Sequence, residues 1–274
     1  MSKLIRSDLS RVLRDKLFLI TCIIGGTFAM FTPLLFKLIF AGLGAGFEDL
    51  TGAYTSPKTL FFNAFSPGNN FGLIVPILLG IILYKDFTFG TIRNKIISGY
   101  TRREIFLSMF TVCFIVLWSV VLLYALFTYV VALILFGAAS TSTNGTSILY
   151  FLESLAFDFL LYLFVAALVS WLCATRRNVG TVIVMYVAIM MIFTLIATII
   201  QACIVVLSFD FGSEKTVKIL TFFQRINLFY SYSYIGVGES YSLKDVLYLV
   251  ITPLVGAGGL LGLGMLKFGK KDLK

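Results

Sequence analysis

The chain has 274 residues, 59% of them hydrophobic and only 13% charged, with a formal charge of +9. Too little polar surface remains to cover a water-soluble core, which points to a membrane protein. There is no histidine, and Cys22, Cys113, Cys173 and Cys203 all lie inside apolar runs, so neither a disulfide framework nor a metal cluster is encoded.

The N-terminal segment, residues 1–16, opens with apolar residues at helical spacing: Leu4, Ile5, Leu9, Val12 and Leu13. Lys3, Arg6, Ser7, Ser10, Arg11 and Arg14 take the other face. This predicts an amphipathic helix lying in a membrane interface. Six runs then reach spanning length, which takes about 20 residues. They cover residues 17–43, 60–84, 105–136, 148–173, 179–207 and 246–268. The second contains Ser66-Pro67-Gly68-Asn69-Asn70 and then Pro76, which predicts a break or kink. Sixteen of the 22 lysines and arginines fall in the N-terminal segment, the loop after the second span, the loop after the fourth and the C-terminal tail. That bias puts both termini in the cytoplasm. The basic residues sit at span ends, not on one folded face, which argues against a nucleic-acid partner.

The loop at residues 85–104 has internal order. Ile92, Ile96 and Ile97 are spaced for one face of a short helix, and Gly99 can stop it. Thr101 and Glu104 then form a capping box in front of the third span. Such a helix could be gripped by a cytoplasmic partner, or the loop could be basic only to set topology. Residues 208–245 are too polar to span but rich in aromatics, including Phe222 and Phe223, and suit short re-entrant or interfacial helices on the outer face. Ser242 and Asp245 make a second capping box.

Ionisable and polar residues also lie inside spans. Asp158 is near the middle of the fourth, Glu153 nearer its outer end, and Gln201 is in the fifth. A carboxyl at such depth faces a partner, a cavity or a pathway, or is held protonated by a neighbouring helix. Lys37, late in the first span, is expected to reach the outer headgroups. Asn70, beside the break in the second span, is a further pathway candidate. Gly258-x-x-x-Gly262 in the last span would permit close helix packing. Gly264 to Lys271 imitates a phosphate-binding loop, but it ends a span and has lysine where the hydroxyl residue belongs. No catalytic constellation and no cofactor site is encoded, so the chain reads as a non-enzyme.

The run Gly90-Thr91-Ile92-Arg93-Asn94-Lys95-Ile96-Ile97-Ser98-Gly99, with six spans and a leading amphipathic helix, resembles the permease subunit of type-2 ATP-binding-cassette exporters. Within that family the chain is most similar to exporters of amphipathic peptides, of the phenol-soluble-modulin and lantibiotic type. The architecture covers the whole chain as a single permease domain, and the specific motif covers about twenty residues. The resemblance implies a bacterial cell-membrane protein working with a separate cytoplasmic ATPase, which would bind the ATP and magnesium. It also implies a second permease copy, as homodimer or heterodimer, and an amphipathic cargo. Thr91, Ile92, Arg93, Asn94, Lys95 and Ile96 would form the helix that docks on the ATPase. Residues 3–16 would be the connecting helix and residues 212–234 the outer gate. An ion-coupled carrier using Asp158, and a non-transporting immunity or sensor protein, remain alternatives.

Overall fold

The computed structural model describes residues 1–43, 56–66, 70–137, 148–208, 214–228, 230, 231, 235 and 240–270. All regular structure among them is helical. The elements are α1 (Ser2–Leu13), α2 (Lys16–Leu43), α3 (Pro57–Asn63), α4 (Asn70–Thr88), α5 (Thr91–Ile97), α6 (Arg102–Phe136), α7 (Ile148–Thr175), α8 (Val179–Ser208), α9 (Glu214–Ile226) and α10 (Leu243–Lys270).

Local chemistry explains most boundaries. Asp15 accepts from the Leu17 N–H at 3.0 Å and opens α2. Thr101 and Glu104 form the expected reciprocal box at the start of α6. Gly137, at φ +78°, ends that helix. Helix α5 stops in a Schellman motif: the Gly99 N–H reaches the Ile96 carbonyl at 2.9 Å and the Tyr100 N–H reaches that of Lys95 at 3.2 Å. Gly99 takes φ +89° there, a conformation open to glycine at little steric cost.

Among the described residues, five helices are long and apolar enough to cross a membrane: α2, α6, α7, α8 and α10. Gly72–Thr88 and Thr91–Ile97 pass the same test together, but they are bent by 58° across their break; counted as one span they would make a sixth. The expected second span, residues 60–84, is not one helix. Its first part forms α3, whose Leu60, Phe61 and Phe62 are buried against α6, and α4 begins afresh at Asn70. Ser56 caps α3 by accepting from the Thr59 N–H, and the Tyr162 hydroxyl donates to the Phe65 carbonyl at 2.8 Å just beyond its end. Aromatic packing holds this short helix: Phe61 meets Phe65, Tyr129 and Phe151, and Phe65 meets Trp118 and Tyr162. The helix is unbroken at Pro76, so the interruption lies upstream of the proline.

Helices α6 and α7 form the centre of the bundle and are mostly buried, whereas α2, α8 and α10 keep most of their apolar surface exposed. Leu19, Ile23 and Leu38 on α2 and Val184, Ile192 and Ile199 on α8 face outward. An apolar exterior of this extent fits a hydrocarbon solvent and is consistent with a multi-pass membrane protein.

The glycines that permit close packing are not those of the Gly258-x-x-x-Gly262 motif. A Cβ on either of those would meet nothing within 4 Å. Gly256 lies against Phe164, where a Cβ would come within 2.8 Å of the ring, and Gly264 lies against Phe106 more tightly still. The α10 stripe that packs inward is therefore offset from the motif. The run from Gly264 is helical through Lys270, which leaves no phosphate-binding loop among the described residues.

Candidate functional site

The most highly organised polar site lies at one end of the bundle, where α1, the end of α4, α5 and the start of α6 meet. Its construction begins on α1. Leu4, Asp8 and Val12 are four residues apart, share one face and are all buried. The buried stripe of this basic helix therefore includes a carboxylate, and it packs against α6.

Around Asp8 the charges form a closed knot. The Lys95 ammonium lies 2.7 Å from Asp8 and 3.3 Å from Asp86. The Arg11 guanidinium pairs with Asp86, with Nη2 2.6 Å from Oδ2, and stands 3.7 Å from Asp8. The Ser108 hydroxyl of α6 donates to Asp8 at 3.0 Å. Beside the knot, Lys85 and Asp15 pair at 2.6 Å and tie the end of α4 to the start of α2. Asp8, Asp86 and Lys95 are nearly excluded from solvent, so the charges are compensated by one another. Burial pushes the Lys95 ammonium down from its ordinary value, and the hydrogen bond and charge of Asp8 oppose that shift. Burial likewise lowers the Arg11 guanidinium, against the pull of Asp8 and Asp15.

Burial alone would raise the Asp15 carboxyl. The hydrogen bond from Lys85, helped by the Leu17 N–H and the charges of Lys85 and Arg11, outweighs it and leaves the group below its ordinary value. A carboxylate depressed in the folded state contributes stability above its unfolded pKa and loses it as pH falls through the folded one. Asp15→Asn should therefore lower thermal stability in detergent at neutral pH by about 0.5 kcal/mol, as for a partly exposed ion pair. The gap between variant and wild type should close in acid, and a gap independent of pH would contradict the assignment.

The knot sorts the six α5 residues singled out in the sequence. Ile92 is buried, Ile96 packs against the core, and Lys95 turns into the knot. Thr91 is half-buried, while Arg93 and Asn94 are exposed. Ile97 is 75% exposed, so it does not share the inward face of Ile92 and Ile96 as the spacing predicted; Phe89, also 75% exposed, was not singled out. Asp8, Asp86 and Ser108 were also missed. The signal for Asp8 was present: an acid midway between Leu4 and Val12 sits on the apolar stripe of a basic helix.

The remaining candidates do not join this site. Arg102 donates to the Gly269 carbonyl at 2.9 Å, so α10 ends at the charged end and begins at the opposite one. Helix α9, with exposed Phe222 and Phe223, lies near that opposite end. Phe222 packs edge-on to Phe223 and to Tyr248. Gln224 of α9 donates to Gln201 of α8, Asn227 donates to the Phe193 carbonyl at 2.9 Å, and Arg225 pairs with Asp245 at 3.1 Å. Residues 208–245 thus contribute the amphipathic helix α9, tied to α8 and α10. Asp245 turns to Arg225, and Gln201 has a helix partner of its own.

Asp158 is buried inside α7, and its Oδ2 has no hydrogen-bond partner among the described residues. Glu153, one turn toward the opposite end, is half-buried. Asn70 begins α4, and its side chain lies outside the described residues. Lys37 donates to the Leu135 carbonyl at 3.1 Å, so it satisfies the end of α6 as well as facing outward.

No protein-family model matches the chain, and no curated protein matches it.

Proposed function

We propose that this chain is the membrane-spanning subunit of an ATP-driven exporter, energised by a separate cytoplasmic ATPase and moving an amphipathic cargo, best a peptide, out of a bacterial cell. The observation that carries the reading is α5. It is a seven-residue helix closed by Gly99, fixed from within by Lys95, and it leaves Arg93, Asn94 and Ile97 exposed, with Phe89 exposed just before it. A solvated topology loop has no use for such bracing, whereas a helix that must transmit force does.

In this reading α2, α4, α6, α7, α8 and α10 make six passes and the charged end faces the cytoplasm with both termini. A second permease copy, identical or a sister chain, completes the pathway. ATP binding by the partner draws the α5 helices of the two permeases together. Through Lys95 that displacement is shared at once with Asp8 on α1 and Asp86 on α4, and through Asp8 with Ser108 on α6. At the far end, α9 moves with α8 and α10 through its two polar ties and acts as the outer gate, with Phe222 and Phe223 toward the cargo route.

The test is capture of the intact chain from its host in mild detergent, with mass spectrometry of what accompanies it. A stoichiometric ATPase bearing a phosphate-binding loop is expected, together with a crosslink to it from position 93. Its absence from both experiments overturns the reading.

The unpartnered Oδ2 of Asp158 favours one second reading, an ion-coupled carrier with that carboxyl as its titrating group. Asp158→Asn separates the two. Transport in vesicles should survive the change in an ATP-driven exporter and vanish in a carrier.

A further inference from the structure

We propose that the groove between α2 and α6 binds an anionic phospholipid from the leaflet at the charged end. The groove has a volume of about 600 Å³, within the range of small-ligand sites. Its walls include Leu13, Phe18, Gly26, Val116, Leu123 and Phe127, and no charged residue lines it. It runs beside α2 from Phe18 to Ala29 and beside α6 from Ile115 to Phe127. At about 1.5 Å per residue that is roughly 18 Å, close to half of a hydrocarbon core about 30 Å thick. Two hydroxyl groups stand on the α6 wall, and both are already satisfied: Ser119 donates to the Ile115 carbonyl at 2.7 Å, and Tyr124 is hydrogen-bonded to Thr32 and Thr128. Nothing in the groove asks for a polar ligand, and its length suits an acyl chain.

Charge at the mouth selects the headgroup. Arg11, Lys85 and Lys95 are all committed to carboxylates. Arg14 and Lys16, which flank the turn between Leu13 and Phe18, are exposed and make no ion pair among the described residues. Two uncommitted cations therefore stand where a chain entering the groove would leave its headgroup. A phosphate of net negative charge is the complement to that pair, and a zwitterionic headgroup matches it less well. The proposal rests on the membrane orientation given above and is independent of the ATPase.

The full chain in mild detergent, offered equal amounts of phosphatidylglycerol and phosphatidylcholine with the same acyl chains, is read by native mass spectrometry. The wild type should retain the anionic lipid with a preference of at least about tenfold. Arg14→Ala combined with Lys16→Ala should reduce that preference to near unity. Gly26→Phe fills the groove from the α2 wall, where a Cβ meets nothing within 4 Å, and Leu123→Trp fills it from α6. Each should abolish retention of both lipids while helical content and elution stay unchanged. Equal retention of the two lipids by the wild type overturns the proposal. So does undiminished binding by whichever filling variants fold. A lipid-free dimer sealed along α2 would assign the groove to a second copy instead.

Discussion

Lys95→Ala is expected to loosen the charged end of the bundle by about 3 kcal/mol, while Arg93→Ala, two residues away on the same short helix, changes stability by less than about 0.5 kcal/mol. The difference follows from where the side chains go. Lys95 is the cation shared by Asp8 and Asp86, both nearly excluded from solvent. Without it, two buried carboxylates are left with Arg11 as the neighbouring guanidinium, and α5 loses its tie to α1 and α4. Arg93 is exposed, and its side chain makes no hydrogen bond or ion pair among the described residues. Thermal unfolding in detergent measures both. Adding Asp86→Asn to Lys95→Ala should restore part of the lost stability, because the stranded negative charge is removed. A Lys95→Ala protein as stable as wild type would show that the knot does not hold α5. Under the proposed exporter reading, capture of an ATPase should respond in the opposite pattern at Arg93, where binding would fall while the chain stays folded.

Gly264→Ala is the second large effect, with an expected loss of about 1–3 kcal/mol from overpacking. The added Cβ would overlap the Phe106 ring, which is wholly buried and packs beside Phe268. Phe268 in turn meets Phe87 of α4, so the ring belongs to a packed aromatic cluster with little room to shift. Gly258→Ala, on the same helix, should be close to neutral since its Cβ enters open space. Pairing Gly264→Ala with Phe106→Leu should recover much of the stability by returning the space. Equal behaviour of the two glycine variants would mean that α10 does not press on α6 as described.

Much of the secondary structure was legible because its causes are local. The apolar runs, the Thr101–Glu104 box and the stop at Gly99 depend on residues within a few positions of one another, and each is present. The second span was misread for the same reason. The polar run at residues 66–70 foretold a break or kink, but nothing local says that Phe61 and Phe62 will enter an aromatic nest built by Tyr129 and Phe151. At the charged end, α5 could be recognised as a short helix, but not which of its cations faced outward. Arg93 and Lys95 are both basic residues in a basic loop, and what separates them is pairing with Asp86 at the end of α4 and with Asp8, on a helix more than eighty positions earlier. The glycine motif failed similarly, since close approach depends on which face of α10 meets a neighbouring ring.

By itself, then, the sequence determined an all-helical chain with an apolar exterior, basic residues gathered at the ends of its runs and a capped short helix between two of them. These follow from composition, periodicity and capping, which act over a turn or two of helix. The tertiary structure alone decided that α3 folds inward, that Gly256 and Gly264 carry the close contacts, and that Lys95 is an internal strut. Those outcomes depend on pairing between distant faces, where burial makes an uncompensated charge or an overlapping ring costly enough to select one arrangement.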